Sequence, residues 1–187
     1  MARRPAHARA LALLIVVMLA GAVATSTAVA QSQDPSGGQA YQPNAPDPNA
    51  PAGRARLASA GRAVAPPDAP PQVVAIIAAA NRIARKPYRY GGGHGRFRDR
   101  GYDCSGSVSY ALRGAGLLSR PLDSSGFMRW GEAGPGNWVT VYAHGGHAYM
   151  VVAGLRFDTS GRSSTGSRWQ RARRSTSGYR VRHPAGL

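Results

Sequence analysis

A chain of 187 residues with 24 Lys and Arg against 8 Asp and Glu carries a net charge of +16, which suits one domain of ordinary size with an affinity for polyanions. Its single cysteine, Cys104, excludes an intramolecular disulfide framework. There is no CxxC pair, no His and Asp set with metal spacing, and no phosphate loop, since Gly91-Gly92-Gly93 lacks a following Lys-Ser or Lys-Thr; neither a metal nor another cofactor is expected.

Residues 1–30 have the three-part layout of a secretory signal. Arg3, Arg4 and Arg9 give the positive start, residues 11–24 an apolar run short of the roughly 20 residues a spanning helix needs, and Ala28-Val29-Ala30 a small-residue cleavage site. The functional part is therefore expected outside the cytoplasm, secreted, periplasmic or in the cell envelope, with an uncleaved anchor as the alternative. Residues 31–71 hold nine of the 14 prolines and almost no large apolar side chain, so a solvated, disordered linker is expected there, residues 53–64 included. The domain itself is expected over residues 72–187.

From Gln72 onward, Val73, Ile76, Ile77, Ala80, Ile83 and Ala84 recur at helical spacing, and Lys86-Pro87 ends the helix because the residue before proline is pushed out of helical conformation. Gly91-Gly92-Gly93 predicts a loop. A second helix is predicted from Cys104 or Ser105 to about Leu112, capped by Asp103, with Val108, Ala111 and Leu112 facing inward. Residues 121–136 predict a loop with one short helical turn. The period then changes: residues 138–142, 147–153 and 155–157 are short β-prone runs joined by glycine turns, and residues 178–182 predict an edge strand. Helices first and a meander afterwards predict an α+β domain, with N-terminal helices packed on a small antiparallel β-sheet. Arg162, Arg168, Arg171, Arg173, Arg174, Arg180 and Arg182 make the C-terminal segment basic; the expectation is a solvated charge run, with attraction to anionic envelope polymers as its functional version.

An unpaired thiol in an exported chain is a liability unless its reactivity is used. A cysteine acts as thiolate, so it needs a positive environment, and a helix start supplies one through unpaired N–H groups and the helix dipole. Asp103-Cys104-Ser105-Gly106 puts the sulfur there, with small neighbours leaving room for a substrate and N–H groups available to an oxyanion. Of five histidines, His7 leaves with the signal, His183 lies in the basic tail, His94 in the glycine loop suits a substrate-side role, and His144 is set aside. His147 opens a strand-like run that holds it rigidly enough for proton transfer, so Cys104 and His147 are the candidate nucleophile and base.

Four segments then fall in a familiar order: Pro87-Tyr88-Arg89-Tyr90-Gly91-Gly92, Asp103-Cys104-Ser105-Gly106 with a helix after it, Ser124-Ser125 before Trp130, and Gly146-His147 opening an apolar strand. Across residues 72–160 this resembles the NlpC-type papain-like cysteine peptidases of bacterial cell walls. The resemblance implies a peptidase that hydrolyses an amide in the stem peptide of peptidoglycan, commonly beside a D-configured residue, through an acyl-enzyme on Cys104 with His147 as base. It also matches Tyr88, Asp103 and Ser105 to the substrate side, where Ser125 and Trp130 are further candidates; an ordinary core tyrosine, a helix cap and a packed tryptophan are the structural alternatives. The family usually carries a third polar residue about a dozen positions after the base. Asp158 is the substitute here, either orienting the imidazole or forming a turn paired with a nearby arginine.

Two other functions remain open from the sequence. The dyad suits acyl transfer as well as hydrolysis, and a non-catalytic envelope protein would grip anionic wall polymers through its basic surface. Nucleic acid is not expected as a partner, given export and the lack of an aromatic-basic platform, and no obligate protein partner is evident.

Overall fold

The computed structural model describes residues 53–171 and 174–187. The predicted signal, the first part of the predicted linker and Arg173 lie outside the described residues.

Order begins earlier than composition predicts. Strands β1 (Arg56–Leu57) and β2 (Ala63–Val64) pair antiparallel around a 3-10 turn at Ser59–Gly61. Asn81 holds this hairpin: its Oδ1 accepts from Ala63 N at 2.9 Å and its Nδ2 donates to Ala63 O at 2.8 Å. The same Oδ1 accepts from Trp169 Nε1 at 2.9 Å, so one side chain ties this hairpin and Trp169 to one helix. A segment of small and polar residues is ordered here by hydrogen bonds from elsewhere, which composition does not report. Asn81→Ala removes three hydrogen bonds and is expected to cost about 2–3 kcal/mol, read as a lower denaturant midpoint; an unchanged midpoint would show that the hairpin is held by other contacts.

Helix α1 (Pro71–Ile83) starts with proline at its first position, where the missing N–H has no intrahelical partner to lose. Its apolar spacing buries Val73, Ile76, Ile77, Ala80 and Ile83 fully. Helix α2 (Cys104–Gly114) packs on α1 and buries Val108, Ala111 and Leu112, as expected, together with the small residues Ser105, Gly106, Ser107 and Ser109. A single helical turn, α3 (Ser124–Phe127), follows.

The sheet contains β3 (Glu132–Ala133), β4 (Val139–His144), β5 (His147–Val152), β6 (Leu155–Phe157), β7 (Trp169–Gln170) and β8 (Arg180–His183), with a short helix α4 (Arg162–Thr165) before β7. Its order is β3-β8-β4-β5-β6-β7, antiparallel throughout. The protein is thus an α+β structure with two N-terminal helices packed against a six-stranded antiparallel sheet. β8 is an interior strand, not the edge strand expected from residues 178–182, because the two-residue β3 covers its outer side. Side chains alternate across the sheet: Ala148, Met150 and Val152 enter the hydrophobic core, while His147, Tyr149 and Val151 face the other way.

The C-terminal charge run is not uniformly solvated. Arg168 is wholly buried, and its guanidinium donates to Ile83 O (2.7 Å), Lys86 O (2.6 Å), Pro87 O (3.2 Å) and Tyr102 O (2.9 Å), with Nε on Ser107 Oγ (2.9 Å). Carbonyls at the end of α1 and in the loop after it, left without helical partners, recruit a charged donor fork. Arg168 thereby fixes the loop that carries Tyr88 to the first turn of α2.

Candidate active site

The glycine loop and the start of α2 are built against each other. Asp103 caps α2, its Oδ1 accepting from Gly106 N at 2.8 Å, and its Oδ2 also accepts from Gly91 N at 3.0 Å. Asp103 N returns to Gly92 O at 3.2 Å. A Cβ on Gly106 would run into the Gly92 carbonyl, and one on Gly92 into the Gly101 carbonyl, so backbone approaches backbone where only glycine fits.

This clasp sets Cys104 as the first residue of α2, half-buried. Its sulfur is hydrogen-bonded to the His147 side chain and the Ala148 backbone N–H, and lies 3.8 Å from Ser124 Oγ. Burial pushes the thiol up, but these hydrogen bonds and the adjacent imidazole outweigh it and hold the thiol below its ordinary value.

His147 opens β5, and its Nε2 lies 2.9 Å from Asp158 Oδ1, which leaves Nδ1 for the sulfur. Burial disfavours the imidazolium; the hydrogen bonds to Asp158 and Cys104 favour it more strongly and raise the ring to about 9. Asp158 follows β6, fully buried, where Oδ1 also accepts from Ser160 N at 2.9 Å and Oδ2 accepts from Arg174 Nη1 at 2.8 Å. Burial would raise this carboxyl, yet the bonds from His147 and Arg174 carry it below the usual range. Arg174 Nη1 is 3.2 Å from His147 Nε2. With Nε2 giving its proton to Asp158, that approach is between two donors, so Arg174 steadies Asp158 while opposing the charge on His147.

A cleft of about 410 Å³ opens over Cys104, lined by Tyr88, Tyr90, His94, Ser124, Ser125 and the Gly145-Gly146 turn, among others. Tyr88 and Tyr90 are 54% and 90% exposed, leaving aromatic surface for a ligand. His94 Nε2 sits 3.0 Å from both Asp103 Oδ1 and Ser105 Oγ, so these polar groups engage a loop histidine.

Of the residues predicted from sequence, Cys104, His147 and Asp158 form one hydrogen-bonded series, and Tyr88, Asp103, Ser105 and Ser125 line the cleft. Trp130 does not line it; the turn after α3 lays it edge-on against Phe127, with ring centroids 5.8 Å apart. Three contributors went unassigned by sequence reasoning. Ser124 touches the sulfur where Ser125 was the candidate, and its sequence signal was the pair itself. Arg174 was one arginine among seven with nothing local to single it out. Tyr90 was visible only as part of the segment before the glycine run.

A scan of the sequence against protein-family models finds no match, and a search of curated proteins finds none either.

Proposed function

We propose that this is an exported cysteine hydrolase with a papain-like, NlpC-type domain, cleaving an amide in the stem peptide of peptidoglycan. The observation that supports this reading is the series Cys104–His147–Asp158: a thiol lowered at a helix start, hydrogen-bonded to an imidazole raised to about 9 by a buried carboxylate. Lowering the thiol while raising the imidazole favours the thiolate–imidazolium form of such a pair.

In the proposed reaction the Cys104 thiolate attacks the amide carbon, and N–H groups at the start of α2 stabilise the oxyanion. The intermediate collapses as His147 Nδ1 gives its proton to the leaving amine, leaving a thioester on Cys104. His147, now neutral, takes a proton from water, whose oxygen attacks the thioester. The acid product leaves, and thiolate and imidazolium are restored. Asp158 holds the ring throughout and Arg174 holds Asp158; both are positioning residues. Tyr88, Asp103, Ser105 and Ser125 supply the substrate side, and the stem peptide's carboxylates suit the basic surface.

Purified peptidoglycan digested with the chain from Gln31 should yield new stem-peptide fragments by mass spectrometry, and Cys104→Ala should yield none. Products from a folded Cys104→Ala variant, or none from wild type across several wall types, would sink the proposal. Transfer of the acyl group to an amine would instead appear as a mass adduct on one fragment.

A further inference from the structure

We propose that a second cavity, which shares no lining residue with the Cys104 cleft, binds a phosphate-type oxyanion. It has a volume of about 380 Å³. The sheet register builds its floor: Tyr142 lies opposite Tyr149 and Val151 opposite Arg156, all on the face turned away from the hydrophobic core. Arg54 comes from the N-terminal segment, and Arg171, Arg174 and Thr176 from the C-terminal one.

Charge is the first argument. Four guanidiniums line one small cavity, and the carboxylate recorded against them among the described residues is Asp158, bound to Arg174 at 2.8 Å and 3.5 Å from Arg156. Asp158 is shared with His147 as well. The excess positive charge exceeds what one monovalent carboxylate would neutralise, whereas a phosphate carries more charge and matches the donor fork of arginine.

An unsatisfied buried hydroxyl is the second argument, independent of charge. Tyr149 is 1% exposed yet lies outside the hydrophobic core, and its Oη has no hydrogen-bond partner among the described residues. Arg156 Nε is buried too, and it meets Asp158 Oδ2 at 3.5 Å as an ion pair without forming a hydrogen bond. A buried hydroxyl of this kind is rarely left unmatched in a folded protein, and Tyr149 and Arg156 line the same cavity. Burial pushes the Tyr149 hydroxyl up to about 12, so it remains a neutral donor suited to an anion's oxygen. The wall is also preformed: Tyr142 stacks on Tyr149 with centroids 4.8 Å apart, and the Arg174 guanidinium lies 5.1 Å from the Tyr149 ring and 5.6 Å from that of Tyr179.

Arg174 belongs both to this cavity and to the His147–Asp158 pair, and among the described residues its hydrogen bonds run from Nη1. Occupancy and the state of Asp158 are therefore coupled. The binding claim stands apart from the catalytic reading, and its test does not use activity.

The full chain is titrated calorimetrically with inorganic pyrophosphate and with orthophosphate at fixed ionic strength. Saturable binding at one site is expected. Arg54→Gln and Arg156→Gln should each weaken it at least about tenfold, and Tyr149→Phe, which keeps the ring and its packing, roughly threefold to tenfold. The double variant Arg82→Gln/Arg113→Gln, remote from the cavity, should change affinity less than about twofold. No saturable binding at millimolar concentration, or equal weakening by cavity and remote variants, would overturn the proposal by reducing the effect to general attraction to a cationic surface. Displacement of pyrophosphate by phosphatidylglycerol vesicles would assign the bound oxyanion to a lipid headgroup, and no displacement to a soluble phosphate; both support the site.

Discussion

Replacing His147 by alanine should lower cleavage of stem peptides about 1,000-fold or more, because one ring supplies both the proton for the leaving amine and the base for the attacking water. The loss should be visible without any substrate. In the wild type, alkylation of Cys104 by iodoacetamide should rise to its plateau at a lower pH than for an ordinary thiol, since the thiol is held below its ordinary value. In His147→Ala the lowering hydrogen bond is gone while burial remains, so the rate should climb with pH as for an ordinary or raised thiol. Identical alkylation profiles in the two proteins would mean that His147 does not activate the sulfur.

The pH dependence of cleavage follows from the same pair, with the sign set by each partner. Below the lowered value of the thiol the sulfur is protonated and activity falls. As pH rises through about 9 the imidazolium loses its proton, and activity falls again. Asp158→Asn removes the negative partner that raises His147 and leaves burial to lower it, so the alkaline limb should move to lower pH. An alkaline limb that stays where it was would assign it to a different group and remove Asp158 from the positioning role.

Arg168→Met is expected to cost about 3–5 kcal/mol in chemical denaturation, the range seen when one side of a buried charged network is deleted. Burial already disfavours the charge on Arg168, yet five backbone carbonyls and the Ser107 hydroxyl take its hydrogens. Methionine fills a similar space and satisfies none of them. Three of the carbonyls belong to Lys86, Pro87 and Tyr102, which frame the segment bearing Tyr88, so a variant folded at low temperature should also show a higher KM. A loss below about 1 kcal/mol would show that water replaces the guanidinium at no great cost.

The legible parts of the sequence were those whose signal is local. The α1 stripe, Asp103 before Cys104 and the alternating run after His147 depend on side chains a few positions apart, and periodicity reads them. Asp158 was reachable as one of two uses of a carboxylate, and in the structure it makes both kinds of contact, with His147 and with Arg174. Arg168 and Arg174 stand six positions apart in a run of Arg and Ser; one is buried under α1 and the other bridges Asp158 to a cavity. Nothing local separates them, because what distinguishes them is the carbonyl or carboxylate that the fold brings from elsewhere. The hairpin at β1 and β2 was missed for the same reason, since Asn81 supplies its order. Trp130 failed in the opposite sense: an aromatic residue near a cleft in sequence was claimed by the core.

The mutual fit of Gly92 and Gly106 limits how this cleft can diversify. A side chain at 106 would part the helix that presents the sulfur from the Gly92 carbonyl, and one at 92 would strike the Gly101 and Arg89 carbonyls within the loop, so selection for a new substrate has to act elsewhere. Tyr88, Tyr90 and Ser125 border the opening and project from a backbone that need not move. A library randomised at those three positions should yield altered specificity with the nucleophile intact, whereas one randomised at residues 92 and 106 should return chiefly glycine.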